Sequence, residues 1–408
     1  MRFSIFFLVV VIFSGAAAQE LKTGTWRGVI DCQGHDLPFT FDVVKKNNRL
    51  LVYLKNGEEK IELNEVTIFG DSVNMVLHIF DAALRAKIVG DQLHGTFVKY
   101  YAPFANQPFR ATYGQDFRFT KNSSEKTTDY SGKYQVEFIT ANGRAIPSVG
   151  IFSQNGNHVT GSFLTTTGDY RYLEGNVVND RLMLSTFDGN HAYVFMLAQH
   201  GDSLKGDYYA GKLTHELVRG IKNANAQLPN PESLTYLKPG YEKIDFHFPN
   251  LNKKMISPSD DRYKGKVLIL QILGTWCPNC LDETKFLVPW YNANKKRGVE
   301  IIGLAYERKD DFIYASERVK KMKEKLKIPY ELVIAGTDNT EKASQTLPML
   351  NKIIGFPTTI IIGKDGKVKN IHTGFEGPGT GIYFEQYKER FNQVVNELLA
   401  EPVSPKDR

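Results

Sequence analysis

The sequence predicts a multidomain protein with an internally duplicated, all-β N-terminal region and a C-terminal α/β domain. Three observations carry this prediction. Residues 20–222 consist of short runs rich in Val, Ile, Phe, Tyr and Thr that are separated by turn residues. Landmarks in the first half of this region recur in the second half at a near-constant spacing. Beyond residue 243, apolar strand patterns alternate with amphipathic helix patterns.

The start of the chain predicts export. A positively charged start, Met1-Arg2, is followed by an apolar core at residues 5–13 and by three alanines at residues 16–18, a layout typical of a cleavable secretory signal. We therefore expect a signal peptide at residues 1–18 and a periplasmic or otherwise exported protein. The apolar core is shorter than the roughly twenty residues that span a bilayer, and no later stretch is long enough, so we expect no transmembrane segment in the mature chain.

The N-terminal region is predicted to contain two half-repeats, at residues 19–120 and 130–222. Matching positions are 107 to 111 residues apart: Gly24 with Gly132, Pro38 with Pro147, Asp81 with Asp188, and Gly95 with Gly206. Each half should form part of a β-sandwich or a barrel-like sheet of its own. The segment Gly24-Thr25-Trp26 resembles the glycine-x-tryptophan start of lipocalin-like barrels, which leaves a ligand cavity open.

Residues 223–242 contain Pro229, Pro231 and Pro239 and few apolar residues, so we expect an extended linker. A C-terminal domain at residues 243–403 and a short tail at 404–408 follow. The patterns in this domain predict a mixed, largely parallel sheet covered on both faces. The predicted strands are 267–273, 299–305, 330–335, 358–362 and 368–373, and the predicted helices are 281–297, 312–327, 341–353 and 383–400.

Cys277 and Cys280 form a CPNC pair between a predicted strand and a predicted helix. As a structural staple the pair is badly placed, because a loop of about four residues constrains the unfolded chain by only roughly 2 kcal/mol, against about 5 kcal/mol for a loop of more than a hundred residues. A zinc site needs about four ligands, and nothing in the sequence supplies a second ligand pair at a suitable spacing, so we expect no metal.

A reactive role explains the placement of the pair better. The start of a helix stabilises a thiolate through its unpaired N–H groups and its dipole, so Cys277 is the predicted nucleophile. Cys280 lies one turn further along the helix, where its thiol can attack a mixed disulfide formed by Cys277. Pro278 suits the first helical turn because its missing N–H is not needed there.

Residues 243 to about 400 resemble the thioredoxin-fold disulfide oxidoreductases of the TlpA and ResA type. The resemblance rests on IDFHFPNLN, KGKVLILQILGTWCPNC and GFPTTIIIGKDGKV, with a proline 80 residues after the first cysteine (357 − 277) and a terminal helix. It implies thiol-disulfide exchange without a cofactor, and it favours net reduction. The implied partners are a disulfide-containing protein substrate and an electron donor, for which a membrane thiol-disulfide relay is one candidate. The charge of +6 gives no indication of nucleic acid.

The resemblance also assigns residues to the site. It implies a cis peptide bond between Phe356 and Pro357 that faces the cysteines and positions the extended backbone of the substrate. Trp276 should present an apolar rim to the partner protein beside Pro278. Glu283, three residues after Cys280, is implied to help move protons. At the place where thioredoxin has a buried Asp, this chain has Gln271, which cannot titrate.

Two other functions remain open at this stage. The first is a peroxiredoxin-like peroxidase, although Thr275 is at the wrong offset from Cys277 for the peroxidase frame and no proline precedes the cysteine. The second is a ligand- or partner-binding protein whose main function lies in the N-terminal β region. Cys32 leaves the cysteine count odd, and we expect it to be buried and inert rather than paired with another protein or exposed.

Overall fold

The computed structural model describes residues 20–77, 79–121 and 128–402. The predicted signal peptide and the predicted tail lie outside the described residues. No helix in the described part of the chain combines the length and the apolar composition that crossing a membrane requires.

The first half of the N-terminal region forms one nine-stranded antiparallel sheet. Its strands are β1 (Gly24–Cys32), β2 (His35–Lys46), β3 (Arg49–Asn56), β4 (Glu59–Leu63), β5 (Val66–Phe69), β6 (Ser72–Val76), β7 (Ala82–Val89), β8 (Gln92–Lys99) and β9 (Gln107–Tyr113). The order is β4-β3-β2-β1-β9-β8-β7-β6-β5. Only Asn64 and Glu65 join the two edge strands, β4 and β5, so the sheet curls into a barrel-like ring. We call it the first sheet.

The second half forms a closed antiparallel barrel, here called the second barrel. Its strands are β10 (Gly132–Ile139), β11 (Ala145–Asn155), β12 (His158–Thr165), β13 (Gly168–Asp169), β14 (Leu173–Val178), β15 (Arg181–Phe187), β16 (Ala192–His200), β17 (Ser203–Ala210) and β18 (Thr214–Lys222). The order is β11-β10-β18-β17-β16-β15-β14-β12-β13, and β12 also pairs with β11, which closes the ring. The two-residue strand β13 is an appendage to this ring.

The all-β prediction for this region is confirmed, and both halves are barrel-like rather than sandwich-like. The landmarks lie at equivalent places, since Gly24 and Gly132 open β1 and β10, while Asp81 and Asp188 shortly precede β7 and β16. Side chains fill both interiors, including Trp26 in the first sheet. In the second barrel, the rings of Phe138, Phe163, Phe195 and Tyr208 contact one another at centroid distances from 4.6 to 6.3 Å. In the first sheet, whose start leaves a ligand cavity open in the sequence, Trp26 is buried and stacks on Phe41 with ring centroids 6.2 Å apart.

The C-terminal domain has the predicted mixed sheet and a thioredoxin-like fold. Strands β21 (Val267–Leu273), β22 (Val299–Glu307), β23 (Glu331–Thr337), β24 (Thr358–Ile362) and β25 (Val368–Thr373) follow a small hairpin of β19 (Phe248–Pro249) and β20 (Met255–Ile256). The sheet order is β23-β22-β21-β24-β25; β21, β22 and β23 pair in parallel, and β24 pairs antiparallel with both β21 and β25. The helices are α1 (Pro278–Asn294), α2 (Phe312–Leu326), α3 (Thr340–Thr346) and α4 (Ile382–Ala400).

Two predicted helices are corrected. The helix predicted at 341–353 ends at Thr346, because Pro348 disfavours the helical conformation of Leu347 before it. The helix predicted at 281–297 begins three residues earlier, at Pro278, and its last residues form a separate 3₁₀ turn at Lys295–Arg297. All five strands of the main sheet lie within two residues of their predicted bounds at each end.

The N-terminal region packs directly on the C-terminal domain. Ile79 and Phe80, next to β7, belong to the same buried cluster as the core of the C-terminal domain. The end of the predicted linker also lies on this domain, where Leu237 pairs with Leu350 and the amide of Tyr236 donates to the Asn351 side chain at 2.9 Å. The segment is therefore held against the C-terminal domain at this end, unlike a free spacer.

Candidate active site

Cys277 caps the N-terminus of α1, directly after the fully buried strand β21 and a three-residue turn. The amide of Cys280 donates a hydrogen bond to the Cys277 sulfur at 3.1 Å, and Pro278 occupies the first helical position. The two cysteines are joined by a disulfide, with their Cα atoms 5.2 Å apart. After reduction, the amide of Cys280 and the positive end of the helix dipole face the Cys277 sulfur, an arrangement that favours a thiolate.

The Phe356–Pro357 peptide bond is cis and lies beside the cysteines, as the resemblance implies. The Cys277 sulfur is 3.6 Å from the carbonyl oxygen of Phe356. The Phe356 ring meets the Trp276 ring edge-on at 5.4 Å, and the Trp276 indole N–H donates to the carbonyl of Tyr306 at 2.9 Å. The predicted substrate-binding residues therefore lie together around the disulfide.

Glu283 is completely buried one turn beyond Cys280. Its carboxylate accepts hydrogen bonds from the Thr359 hydroxyl at 2.6 Å, the Gln271 amide at 2.8 Å and the Tyr387 hydroxyl at 3.2 Å. Burial raises the pKa of Glu283 above its ordinary value, although these donors oppose the increase. Gln271 thus supplies a hydrogen bond to Glu283 from the position that thioredoxin gives to a titratable Asp.

A second buried carboxyl, Glu307, was missed from the sequence. It accepts hydrogen bonds from the amide of Thr275 at 2.9 Å and from its hydroxyl at 2.7 Å, two residues before Cys277. Burial raises the pKa of Glu307 to about 7. A signal was available, because Glu307 ends β22, the parallel neighbour of β21, and such strands end at the same edge of a sheet.

The segment at and after the turn between β12 and β13 contacts the first turn of α1, which contains the CPNC pair. Asn279, inside the CPNC pair, donates from its side chain to the carbonyl of Asp169 at 3.0 Å. The Asp169 carboxylate accepts from the amide of Gly377 in the C-terminal domain at 2.7 Å. Burial raises the pKa of Asp169 to about 7. The hydrogen bond between Asn279 and Asp169 joins residues 110 positions apart (279 − 169), and nothing in the sequence indicates it.

Arg171 connects the three parts of the molecule in one buried ion cluster. Its guanidinium, 2% exposed, contacts Asp282 of α1 at 2.9 Å, Asp188 of the second barrel at 3.2 Å, and Glu59 of the first sheet. Burial opposes the ionisation of Asp188, yet His191 and Arg171 together hold its pKa below its ordinary value. Asp282 lies two residues after Cys280, so the cluster fixes the first turns of α1 to both halves of the N-terminal region.

The first sheet covers the tryptophan side of the site. The Arg308 guanidinium lies 3.9 Å from the centroid of the Tyr101 ring, which belongs to the segment after β8, and 5.1 Å from the centroid of the Trp276 ring. Tyr101 donates from its hydroxyl to the Asn190 side chain at 3.2 Å. Arg308 therefore connects Trp276 to Tyr101 of the N-terminal region.

Trp276 and the cysteines differ in exposure. Trp276 is partly exposed, with the Arg308 guanidinium between its ring and that of Tyr101. Cys277 is 5% exposed, Cys280 is 0% exposed and Pro357 is buried. The role expected of Trp276, an apolar rim for a partner protein, stays a prediction.

The third cysteine behaves as expected. Cys32 is free and fully buried in the first sheet, and burial raises the pKa of its thiol to about 12. A buried thiol with so high a pKa is a poor nucleophile at neutral pH. Among the described residues, no group of three or more His, Cys, Asp or Glu side chains is arranged to hold a metal ion.

The comparisons with known proteins concern part of the chain. A family model described as the AhpC/TSA family matches residues 239–371. The thiol-disulfide oxidoreductase ResA of Bacillus thuringiensis subsp. konkukian (strain 97-27) is 33% identical over 159 residues, which are 39% of this chain and 78% of that protein. The protein of the same name from Geobacillus kaustophilus (strain HTA426) is 32% identical over 112 residues, which are 28% of this chain and 57% of that protein.

A solved structure also matches part of the chain. The chain is 22% identical to a thiol:disulfide interchange protein of the thioredoxin family from Chlorobium tepidum TLS, with a TM-score of 0.31. The match covers 39% of this chain and 96% of that chain.

Proposed function

Since the chain belongs to the ResA-like family of thiol-disulfide oxidoreductases, we propose that it exchanges disulfides with partner proteins through Cys277 and Cys280, acting as a reductase. The observation that carries the proposal is the position of Cys277 at the N-cap of α1, with the amide of Cys280 3.1 Å from its sulfur. The signal-like residues 1–18 support export to the periplasm. We propose as substrates proteins that contain a disulfide.

The exchange consumes the two thiols of the reduced enzyme. The Cys277 thiolate attacks one sulfur of the substrate disulfide, forms a mixed disulfide and releases the other substrate sulfur as a thiolate, which takes up a proton. The Cys280 thiol loses its proton and attacks the Cys277 sulfur. The mixed disulfide breaks, the second substrate thiol leaves, and the Cys277–Cys280 disulfide forms. Two electrons have then passed to the substrate, and an electron donor must restore the enzyme.

The side chains around the cysteines have distinct roles in this proposal. Pro357 and Phe356 hold the substrate backbone beside Cys277, and Trp276 and Pro278 form the apolar rim of the site. Glu283 receives the proton of Cys280, and burial, which raises its pKa, makes it a stronger base than an exposed carboxylate. No metal or organic cofactor takes part in these steps.

The rival functions fit the site less well. In a peroxidase, hydroxyl groups beside the cysteine shape a peroxide pocket, whereas the Thr275 hydroxyl is bonded to Glu307 at 2.7 Å. In the described part of the β region, buried aromatic and aliphatic side chains pack in the interiors of the first sheet and of the second barrel, where a separate ligand-binding function would need space. The N-terminal region also contributes Ile79 and Phe80 to the core of the C-terminal domain, which ties it to the redox site.

Single cysteine variants of the full chain test the proposal. We expect the reduced protein to cleave a fluorescence-quenched peptide disulfide, the Cys277→Ser variant to be inactive, and the Cys280→Ser variant to accumulate a mixed disulfide that dithiothreitol releases. Cys32→Ala is the matched control and should retain the rate. Full activity of the Cys277→Ser variant would contradict the mechanism, as would a Cys280→Ser variant that forms no adduct.

A further inference from the structure

The surface that a substrate protein needs is already occupied by another part of this chain. The segment from Thr165 to Asp169, at and after the turn between β12 and β13, lies against CPNC and the cis-proline loop. We propose that this segment, here called the cap segment, is an intramolecular occupant of the protein-substrate surface, so that the chain exchanges disulfides with proteins only after the cap segment is displaced. This inference rests on the proposed function.

The fit between the cap segment and the site is close enough to require glycine on both sides. A Cβ on Gly168 would lie 2.1 Å from the Asn279 side-chain nitrogen, and its φ of +139° also disfavours other residues. A Cβ on Gly355, directly before Phe356, would lie 2.5 Å from the Thr167 side chain. The cap segment thus touches both arms of the site, the start of α1 and the cis-proline loop.

The polar contacts of the cap segment hold the same two places. Asn279 donates to the Asp169 carbonyl, and the Asp169 carboxylate accepts from the amide of Gly377, four residues after the end of β25. The Asn279 side-chain oxygen is buried and has no hydrogen-bond partner within the described residues. An unpaired buried acceptor is costly, so the capped state leaves a position that an N–H donor of a substrate can fill.

Exchange with a protein is incompatible with the capped state. The attacking sulfur must approach a substrate disulfide along its S–S axis, which requires an open path in front of Cys277. Cys277 is 5% exposed, and Thr167 and Gly168 of the cap segment contact Gly355 and Asn279 next to it, where a folded substrate protein would have to lie. A small reagent needs a smaller opening than a folded protein does. Displacement of the cap segment should therefore speed the reaction of Cys277 with a bulky reagent much more than its reaction with a small one.

The architecture allows the cap segment to move without unfolding the barrel. β13 has two residues and pairs only with β12 by two residue pairs, whereas β12 itself continues into the closed ring through β11 and β14. Thr165, Thr166 and Gly168 also border a cavity of about 590 Å³ between the second barrel, the linker and the C-terminal domain. The turn can therefore shift while the ring remains paired.

Two adjacent threonines provide a matched pair of variants. Thr167 contacts Gly355, whereas Thr166 borders the cavity. In the reduced full chain, we expect Thr167→Arg to raise the rate at which a 5 kDa polyethylene-glycol maleimide modifies Cys277 by at least about tenfold, and to change the rate with iodoacetamide by less than about threefold. Thr166→Arg should behave as the unmodified protein. Modification is read at the Cys277 peptide by mass spectrometry.

Hydrogen exchange of the unmodified protein gives a second readout that does not depend on the variants folding. The amide of Gly377, which is bonded to Asp169, should exchange at least about tenfold faster than the core amides of β21. Equal protection of the Gly377 and β21 amides from exchange would overturn the inference. Rapid labelling of Cys277 by the bulky maleimide in the protein without substitutions would also overturn it.

The outcomes separate the cap from the function. If the bulky reagent labels Cys277 in the Thr167→Arg variant but neither protein cleaves the peptide disulfide, the inference about the cap segment is supported and the proposed function is contradicted. If the unmodified chain cleaves a folded protein's disulfide as fast as the Thr167→Arg variant does, the function stands and the cap fails.

Discussion

Two buried carboxyl groups lie on either side of the CPNC pair, and their hydrogen bonds indicate different roles. Glu307 is bonded to Thr275 before the cysteines, so it fixes the turn that leads into α1. Glu283 follows the cysteines on α1 and is bonded to Gln271, Thr359 and Tyr387. The structure records no hydrogen bond from Glu283 to a cysteine among the described residues, so its role in proton transfer stays a proposal that kinetics must decide.

Replacement of Glu283 tests that role. Gln fills the same space but cannot accept a proton, so Glu283→Gln should slow the attack of Cys280 on the mixed disulfide by roughly a hundredfold. The measurement is the lifetime of the mixed disulfide in rapid-quench experiments over a range of pH. Glu300→Gln, at the other end of β22, is the control and should leave the lifetime unchanged. A Glu283→Gln variant with the unmodified lifetime and pH profile would remove Glu283 from the mechanism.

The raised pKa values of Asp169 and Glu307 allow a prediction of how the stability of the fold depends on pH. Burial raises both pKa values to about 7, above the ordinary values of 3.8 and 4.5, so the folded protein binds more protons than the unfolded chain in this range. Their contribution to stability is fully present below about pH 4 and is lost as the pH rises through 7. Ionisation of each group should lower the free energy of unfolding by on the order of 2 kcal/mol between pH 5 and pH 8.

Thermal unfolding from pH 5 to pH 8 measures this effect. The melting temperature should fall across the range, and Glu307→Gln should make the fall smaller, because Gln does not ionise. Glu397→Gln, on the exposed face of α4, should leave the slope unchanged. A melting temperature that rises steadily from pH 5 to pH 8 would contradict the assignment of these buried carboxyls.

Among the secondary structure elements, α1 depends on the N-terminal region for its position. Arg171 contacts Asp282 of α1 together with carboxylates from the first sheet and the second barrel. Removing one side of a buried ion cluster leaves its partners charged and without compensation, which is far more costly than losing an exposed pair. The first turns of α1 should therefore respond to a change made in a different domain.

Arg171→Met tests this dependence. We expect a loss of about 3–5 kcal/mol in the free energy of unfolding, because three buried carboxylates lose their cation while the apolar volume is kept. Urea unfolding followed by circular dichroism gives the value. Arg219→Met, on an exposed position of β18, is the control and should change stability by no more than about 0.5 kcal/mol. Equal effects of the two substitutions would show that the Arg171 cluster does not hold the units together.

At the scale of the whole molecule, a group of partly exposed ion pairs joins the first sheet to α2. Glu65 is 3.2 Å from Lys321 and 2.5 Å from Lys325, and Asp81 is 3.4 Å from Arg318. Exposed pairs contribute roughly 0.2–1 kcal/mol each, so they adjust the docking rather than create it. The apolar residues Ile79 and Phe80 provide the buried part of the same contact.

Reversal of one charge should loosen the docking. Glu65→Lys replaces two attractions by two repulsions, and we expect the bulky maleimide to modify Cys277 about tenfold faster as the undocked population increases. Adding Lys321→Glu and Lys325→Glu to this variant restores the attraction and should restore the slow rate. A rate that is the same in all three proteins would show that docking of the first sheet does not control access to Cys277.

Much of the fold could be predicted from the sequence because it depends on local patterns. The strands of the C-terminal sheet follow from runs of apolar residues, and the barrel strands follow from alternation interrupted by turns such as Asn155-Gly156-Asn157. The end of α3 was missed because the pattern of apolar residues continues past Thr346, while the backbone restriction imposed by Pro348 ends the helix.

By itself, the sequence determined the all-β character of the two N-terminal halves, the thioredoxin-like domain and the place of Cys277 at the start of a helix. These features depend on neighbours a few residues away, whose spacing is visible in the chain. Only the tertiary structure decided that the cap segment lies on CPNC, that Arg171 reaches Asp282 and that Glu307 supports Thr275. Such contacts join residues from 32 to 111 positions apart, and their partners are selected by shape and charge in the folded molecule.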